Sequence, residues 1–162
     1  MTSRVCLFLV LAIAVCSSTT AIAQEHHAAA PAGRSTFDKA MLQKVWDAWC
    51  TLDPKNPAKF YSHEPNHPFY DIAPIKYDNW SEYESGVKNV IGDWKSAKAK
   101  VNYDGIIHQE SPTTVWSAST VDFEWVDKDG KDQKATVRWT AIWHKHGNNW
   151  MIAHDHTSVP MQ

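Results

Sequence analysis

Cysteine is scarce in this sequence, and its placement excludes a fold held together by disulfides. The chain of 162 residues contains three cysteines, and two of them, Cys6 and Cys16, lie in an apolar stretch near the N-terminus. Loss of that stretch would leave Cys50 alone, so no internal disulfide could form and stability must come from an ordinary hydrophobic core. No base close to Cys50 in the sequence would activate it, and a buried thiol is the simplest interpretation.

Long basic runs and the common cofactor-binding signatures are also absent. Sixteen Lys and Arg stand against 18 Asp and Glu, a formal net charge of −2 at pH 7. This mildly acidic balance argues against a nucleic-acid partner. The sequence contains no G-x-x-x-x-G-K-[ST], G-x-G-x-x-G, G-x-S-x-G or C-x-x-C pattern. These patterns mark nucleotide, hydrolase and redox sites, so we expect no cofactor.

The N-terminal segment has the features of a secretory signal peptide. Arg4 precedes an apolar run that ends at Cys16, and an A-x-A cleavage signal occupies residues 21–23. A lipoprotein signal ending at Cys16 is the alternative, but a valine directly before that cysteine disfavours it. We expect a signal peptide at 1–23, a disordered linker at 24–34 and one domain at 35–162. The protein would then be secreted or periplasmic and free of the membrane after cleavage.

Three helical segments are predicted in the first half of the domain. The first, residues 35–51, carries apolar residues at i, i+3, i+4 and i+7, namely Leu42, Val45, Trp46 and Trp49. A short second helix would begin at an Asp-Pro pair and cover 53–61, and a third, at 81–94, begins with a capping box. The proline-rich stretch between them permits only a short extended piece at 68–72, which carries Asp71.

The second half of the domain alternates with a period of two residues, which predicts antiparallel strands. We expect strands at 101–109, 114–126 and 134–146 and a last strand from residue 150, with turns at 127–130 and 147–149. Helices followed by a run of strands are typical of an α+β fold with a curved sheet wrapped on helices. The domain contains nine tryptophans, which would form a tryptophan-rich core or an aromatic cavity.

The last strand runs from apolar residues into a polar end. Strict alternation divides the strand into two faces. One face carries Trp150, Ile152, His154, His156 and Ser158, and the other carries Met151, Ala153, Asp155 and Thr157. The two histidines could serve acid–base chemistry or ligand binding, or be buried and hydrogen-bonded within the protein. A third interpretation is a metal site shared with His144 and His146, but these lie at the opposite end of the hairpin, and we assign no metal site.

The order of elements and several motifs resemble the nuclear-transport-factor-2-like superfamily, and within it the SnoaL-like, ketosteroid-isomerase-like branch. The motifs are Asp71-Ile72-Ala73-Pro74 with Tyr77, Trp80-x-x-Tyr83-x-x-Gly86, Arg138-Trp139-Thr140 with Trp143, and Trp150-x-Ile152-x-His154-x-His156-x-Ser158-x-Pro160. The resemblance covers roughly residues 36–160. It implies a conical α+β barrel, a curved antiparallel sheet wrapped on three N-terminal helices around one deep pocket. Homodimers formed through the sheet are common in the family.

The resemblance also implies that Asp71 is a catalytic base. In the isomerase branch, an aspartate near this short strand abstracts a proton next to a carbonyl, and Asp71 stands at about that position in motif order. Apolar neighbours would desolvate the carboxylate and strengthen it as a base. The structural alternative is that Asp71 caps a turn or pairs with Arg138 or a histidine. His154 is the candidate acid, with His156 as its alternative.

The branch uses a tyrosine of the first helix to stabilise the oxyanion, and this chain has only Trp46 and Trp49 there. An indole N–H can donate one hydrogen bond but is less acidic, and Tyr70 or Tyr83 would be the substitutes. Arg138 could clamp a ligand oxygen, or pair with an acidic residue of the preceding strand. The candidate ligand contacts are therefore Tyr70, Trp80, Tyr83, Arg138 and His156.

Together these features predict an exported pocket protein that binds a small apolar organic ligand. The first hypothesis is a cofactor-free isomerase or lyase that transfers a proton next to a carbonyl. The alternatives are a non-catalytic ligand-binding protein and a dimerisation domain of the same fold, since one fold hosts many functions.

Overall fold

The computed structural model describes residues 37–102 and 104–161. The predicted signal peptide and linker lie outside these residues. The elements are helix α1 (Lys39–Trp49), a 3₁₀ turn (Pro57–Phe60), strand β1 (Phe69–Tyr70), helix α2 (Trp80–Ile91), and strands β2 (Ser96–Val101), β3 (Ile106–Ser111), β4 (Thr114–Val126), β5 (Asp132–His146) and β6 (Asn149–Ser158). The predicted α+β class is confirmed. None of the helices in the described residues is long and apolar enough to cross a membrane.

Within the described residues, six strands form one mixed, open sheet; β1 is parallel to β6, and the other strand pairs are antiparallel. The order is β1-β6-β5-β4-β2, and β3 pairs with β4 beside β2. Strands β4, β5 and β6 form the antiparallel meander that the alternation predicted. Strand β1 lies along β6, with Phe69 opposite Asp155 and Tyr70 opposite His156. The proline-rich segment thus brings the residue that follows β1 beside the polar end of the last strand.

The first long strand predicted, 101–109, is wrong, because the chain breaks there into β2 and β3. β2 pairs with the second half of β4, and β3 pairs with the first half. At the break, Asn102 and Asp104 both hydrogen-bond the Thr120 side chain of β4, at 3.1 and 2.7 Å. Asn and Asp favour turns because their side chains can hydrogen-bond nearby backbone or hydroxyl groups, and Gly favours turns because it has no side chain to restrict its backbone. The alternating sequence pattern continues through the break, so the pattern alone did not reveal it.

The helix starts also differ from the predictions. Asp38 caps α1 by accepting the Met41 N–H at 3.2 Å. The N-cap of α2 is Asn79, two residues before the predicted cap at Ser81. Asn79 accepts the Glu82 N–H at 3.1 Å, and the Glu82 carboxylate accepts the Asp78 N–H at 2.9 Å. The second helix is only a 3₁₀ turn that begins at Pro57. These shifts leave the apolar stripes in place, so Leu42, Val45 and Trp46 are buried as predicted.

A β-bulge in the last strand changes which residues face inward. Ile142 pairs with His154, but Trp143 pairs with Ile152, so Ala153 is an extra residue without a partner on β5. One extra residue reverses the alternation beyond it. Trp150 and Ile152 therefore face inward before the bulge, and Asp155 and Thr157 face inward after it. The predicted face shared by Trp150, Ile152, His154, His156 and Ser158 is wrong for this reason.

Gly86 permits the close packing of α2 against the loop before it. A Cβ atom built at Gly86 would overlap the Tyr77 ring and lie 2.6 Å from its hydroxyl oxygen, although alanine is otherwise the better helix former. We therefore expect Gly86→Ala to destabilise the fold by about 1–3 kcal/mol, the usual cost of overpacking. Urea unfolding would measure it, with the exposed neighbour Ser85→Ala as control. Equal stability of the two variants would contradict this packing.

Candidate functional site

A cavity of about 380 Å³ lies between the two α-helices and the inner face of the sheet. α1 contributes Val45, Trp46 and Trp49, and α2 contributes Tyr83, Val87, Val90 and Ile91. Strands β4 and β5 contribute apolar or aromatic side chains, such as Phe123, Val137 and Trp139. Two carboxyl groups, Asp71 and Asp155, line the same cavity. A mostly apolar cavity with a few polar groups is typical of small-molecule sites.

Asp155 is held at the wall of the cavity by two hydrogen bonds to one oxygen. The Tyr61 hydroxyl donates to Oδ2 at 3.0 Å, and the Trp139 indole N–H donates to the same atom at 3.1 Å. The Trp49 indole N–H donates in turn to the Tyr61 oxygen at 2.9 Å. Oδ1 makes no hydrogen bond to any residue that the structure describes. The carboxyl group is thus fixed in orientation with one oxygen unused by the protein.

Burial changes the protonation of this cluster. The pKa of Asp155 is raised to about 7, chiefly because burial removes water from the carboxylate; the Trp139 and Tyr61 donors lower this pKa, and the nearby Asp71 carboxylate raises it. Burial, followed by the charge of Asp155, likewise raises the pKa of Tyr61 and that of Tyr83. Asp155 therefore changes charge near neutral pH, while both tyrosines remain hydroxyl donors.

Asp71 reaches the same end of the cavity from the end of β1. Phe69 faces inward and Tyr70 outward, so alternation returns Asp71 to the inner side. The side chain is half-buried, and its Oδ1 accepts the Ile72 N–H at 2.7 Å. Burial raises the pKa of Asp71, while the bond from Ile72 lowers it. Its second oxygen makes no hydrogen bond within the described part of the chain and is available to a ligand.

A cluster of stacked aromatic rings also lines the cavity. Trp94, which follows α2, stacks on Trp125 with ring centroids 5.2 Å apart, and Phe123 stacks on Trp125 at 5.3 Å. All three are half-buried and line the cavity. Flat rings prefer such stacked or edge-on neighbours, so the cavity suits a flat apolar molecule with its polar group at the Asp71 and Asp155 end.

The structure brings only two of the seven candidate site residues to the cavity. Asp71 and Tyr83 line it. Trp80 is buried behind it in the core, stacked on Tyr61 with ring centroids 4.7 Å apart. The other four, listed here, lie on the outer face of the sheet: Tyr70, Arg138, His154 and His156.

The outer-face residues have structural contacts of their own. The His154 ring lies 2.7 Å from the Pro68 carbonyl oxygen through Nδ1. Tyr70 meets the His154 ring edge-on at 5.1 Å and the His156 ring at 6.0 Å. The exposed Arg138 guanidinium donates to the Val159 carbonyl at 3.1 Å. The expectation that the two histidines face the pocket is wrong, because it required a strand without the bulge at Ala153.

Sequence reasoning missed Asp155, Tyr61 and Trp139 as a connected group. Asp155 lay on the face assigned away from the histidines, and no sequence signal marks a bulge at Ala153. Tyr61 was placed only at the end of a short helix, 94 residues from its partner. The one available signal was that an aspartate stood among apolar residues on its own face of the strand, which is unusual unless the carboxyl group is hydrogen-bonded or functional.

One sequence match to a metal motif has no metal-binding geometry. Residues 63–67 read His-Glu-Pro-Asn-His, which fits the zinc pattern H-E-x-x-H. That pattern needs a helix to place both rings on one face, but here the chain forms a turn. The His63 ring contacts the Ala58 carbonyl oxygen, and the His67 ring packs against His144 at 6.0 Å. No group of three or more His, Cys, Asp or Glu that could hold a metal ion occurs among the described residues.

Comparison with known proteins gives a clear result for structure only. No family model matches the sequence, and no curated protein matches it. Solved structures do match. A nuclear transport factor 2-like superfamily protein from Salmonella enterica is 20% identical, with a TM-score of 0.66, over 76% of this chain and 92% of that one.

Two further solved structures have a similar fold but are named for different functions. A candidate calcium/calmodulin-dependent protein kinase II association domain from Xanthomonas campestris has a TM-score of 0.67 at 20% identity, over 76% of this chain and 86% of that one. A candidate scytalone dehydratase from Novosphingobium aromaticivorans has a TM-score of 0.67 at 12% identity, over 76% and 81%. Identities this low establish the fold and not the activity. The chain therefore has the nuclear-transport-factor-2-like fold.

Proposed function

We propose that this protein binds a flat, mostly apolar carbonyl compound and transfers a proton next to the carbonyl, without a cofactor. The observation that carries this proposal is the pair of carboxyl groups at one end of an aromatic cavity, Asp71 and Asp155. Their environments differ: Asp155 is fully buried and Asp71 is half-buried. Two acids in different environments can divide the roles of base and acid between them.

Asp71 is the base in this proposal. Its second oxygen is available to a C–H group of the ligand, and partial desolvation makes it a stronger base than a carboxylate in water. The proton leaves the carbon for Asp71, and the electron pair moves onto the carbonyl oxygen. Return of the same proton to another carbon gives isomerisation, and departure of a neighbouring group gives elimination.

Asp155 is the hydrogen-bond donor that replaces the histidine expected from the sequence. Below pH 7 the carboxyl group is largely neutral, given its pKa of about 7. Tyr61 and Trp139 both donate to Oδ2, so the proton belongs on Oδ1, the oxygen without a partner among the described residues. A donor aimed at an oxygen on which charge develops stabilises the transition state.

A ketone with acidic neighbouring protons tests the proposal directly. 2-Tetralone is a bicyclic ketone whose C1 protons exchange with deuterium in D₂O, and exchange is followed by proton NMR. We expect the wild-type protein to accelerate exchange over buffer with saturation kinetics. Binding of 2-tetralone without acceleration would reduce the function to ligand binding, and absence of both would overturn the proposal.

We also propose that the protein is exported and forms a homodimer; neither property depends on the proposed catalysis. Export is supported by the N-terminal sequence alone. A homodimer is supported by the outer face of the sheet, where Trp116 and Ile142 are paired across β4 and β5 and are 36% and 37% exposed. Neither side chain is charged, so two copies of this patch can meet without charge repulsion. We expect Trp116→Glu to convert a dimer into a monomer in light scattering; a monomeric wild type would contradict the dimer.

A further inference from the structure

The cavity carries acidic groups without any basic group to balance them. Asp71 and Asp155 line it, and none of the lining residues that the structure describes is lysine, arginine or histidine. Neither aspartate forms an ion pair with any described residue. Buried carboxylates are usually paired with a cation, because an unpaired charge away from water costs free energy. When both carboxyl groups are ionised, the described residues therefore leave the charge of the cavity uncompensated.

Asp71 provides the contact that a ligand can reach. Its Oδ1 accepts the Ile72 N–H, whereas Oδ2 has no partner among the described residues and is not sealed from solvent. Asp155 adds a second charge: it is 1% exposed, and its Oδ1 is likewise without a partner in the described part of the chain. Because electrostatic attraction acts over several ångströms, Asp155 can attract a cation in the cavity without touching it.

Aromatic rings lie close to both carboxyl groups. The Tyr61 hydroxyl donates to Asp155 at 3.0 Å, and the Tyr83 ring stands edge-on to the Tyr61 ring with centroids 5.6 Å apart. Burial, and then the charges of Asp155 and Asp71, raise the pKa of Tyr83, so both acids lie near this ring. The faces of aromatic rings attract cations, and organic ammonium groups are recognised in this way. Carboxylates set among aromatic rings therefore suit an organic cation.

We propose that the cavity is a binding site for flat organic amines in their protonated form, with the ammonium group on Asp71 and the rings against the aromatic walls. Such a ligand supplies the apolar surface that suits the walls and the positive charge that the cavity lacks. A ligand of the same shape with a carboxylate would meet two like charges. This inference does not rest on the proposed proton transfer, since it needs only the charge and the walls of the cavity.

Three ligands of one shape and different charge test the wild-type protein. At about pH 8, 2-aminotetralin is positively charged, 2-tetralol is neutral and tetralin-2-carboxylate is negatively charged. Asp155, with a pKa of about 7, is largely ionised there. We expect calorimetry to show 2-aminotetralin binding about 10-fold more tightly than 2-tetralol, because a hydrogen bond between two charged groups is stronger than one from a neutral hydroxyl. The carboxylate should bind most weakly. An affinity for 2-aminotetralin no higher than that for 2-tetralol would overturn the inference.

Two substitutions of equal charge locate the site. Asp71→Asn should weaken 2-aminotetralin binding about 10-fold and change the affinity for 2-tetralol by less than about 3-fold. Asp78→Asn removes the same charge at an exposed carboxylate that does not line the cavity, and should leave both affinities unchanged. Equal losses in the two variants would show only general attraction to an acidic protein and would overturn the site.

The same ligands separate this inference from the proposed function. Failure of all three ligands to bind the wild type would overturn the inference and the proposed pocket together. Tight binding of 2-aminotetralin without catalysed exchange of 2-tetralone would support the inference and overturn the proposed function. Catalysed exchange without any preference for the amine would overturn the inference alone.

Discussion

Asp71→Asn is expected to reduce the catalysed proton exchange of 2-tetralone by about 10²–10⁴-fold, the usual contribution of a positioned general base. The amide is nearly the same size as the carboxylate, but it is not a base. Its oxygen can still accept the Ile72 N–H, as Oδ1 does now at 2.7 Å. The affinity for 2-tetralone should therefore change little while the exchange rate falls. Deuterium exchange by NMR at a saturating ligand concentration measures the rate, and calorimetry measures the affinity.

Asp78→Asn is the matched control for this experiment. Asp78 is an exposed carboxylate, seven positions further along the same segment, that pairs with Lys76. Its substitution changes the net charge by the same amount and should leave the exchange rate within about two-fold, because exposed ion pairs contribute little. If Asp71→Asn and Asp78→Asn behave alike, Asp71 is not the base.

The pH dependence of exchange should have two limbs that report the two acids. The rate rises with pH as Asp71 ionises, at a pKa that burial holds above its ordinary value. The rate falls again through about pH 7, because Asp155 then loses the proton that it donates. In Asp155→Asn, the amide NH₂ can take the position of Oδ1 and donate at every pH. The alkaline limb should therefore disappear in this variant; its persistence would contradict the donor role.

The second large effect is on stability, where Asp155→Asn should make the protein more stable at alkaline pH. The folded-state pKa of Asp155, about 7, exceeds its unfolded value of 3.8. The sign follows from linkage: stability is highest below the unfolded pKa and is lost as pH rises through the folded pKa. The wild type should lose on the order of 4 kcal/mol between pH 4 and pH 8 from this group.

The asparagine variant escapes that loss because its amide carries no charge. Its oxygen can keep the bonds from Tyr61 and Trp139, leaving only an unpaired NH₂ at a cost of about 1 kcal/mol. We expect it to be slightly less stable than the wild type at pH 4 and clearly more stable at pH 8, by urea unfolding at both values. Asp127→Asn is the control of opposite sign, since hydrogen bonds from Lys131 and Gln133 lower the pKa of Asp127. Parallel stability curves for wild type and Asp155→Asn would contradict a buried carboxyl at this position.

The sequence was informative where one periodic pattern was uninterrupted. The apolar stripe of α1 and the alternation over 114–126 predict elements that the structure contains, because a buried face demands such patterns. The same reasoning failed at Asn102 to Gly105 and at Ala153. At the first, the alternation continued across a break; at the second, one extra residue reversed the faces. A bulge is set by how neighbouring strands fit together, and single-sequence patterns do not contain that information.

The sequence predicted the kind of site, a carboxyl group at a cavity, but not most of the residues that form it. Apolar neighbours around Asp71 correctly indicated a carboxyl group at a cavity. Tyr61 and Trp139 meet at Asp155 only through contacts between residues 94 and 16 positions apart, and no local motif encodes such contacts. The histidines were the more conspicuous polar residues of the last strand, and the bulge at Ala153 turned them outward.

The proposed donor role requires Asp155 to be a buried acid that stays largely neutral up to about pH 7. A carbon-13 NMR titration of the aspartate carboxyl groups, with the Asp155 resonance identified by its loss in Asp155→Asn, tests it most directly. The structure predicts a midpoint of about 7 for this resonance. A midpoint near 4, the ordinary value for an aspartate in water, would show that the carboxyl group is solvated and would contradict the donor role, the alkaline limb and the stability gain together.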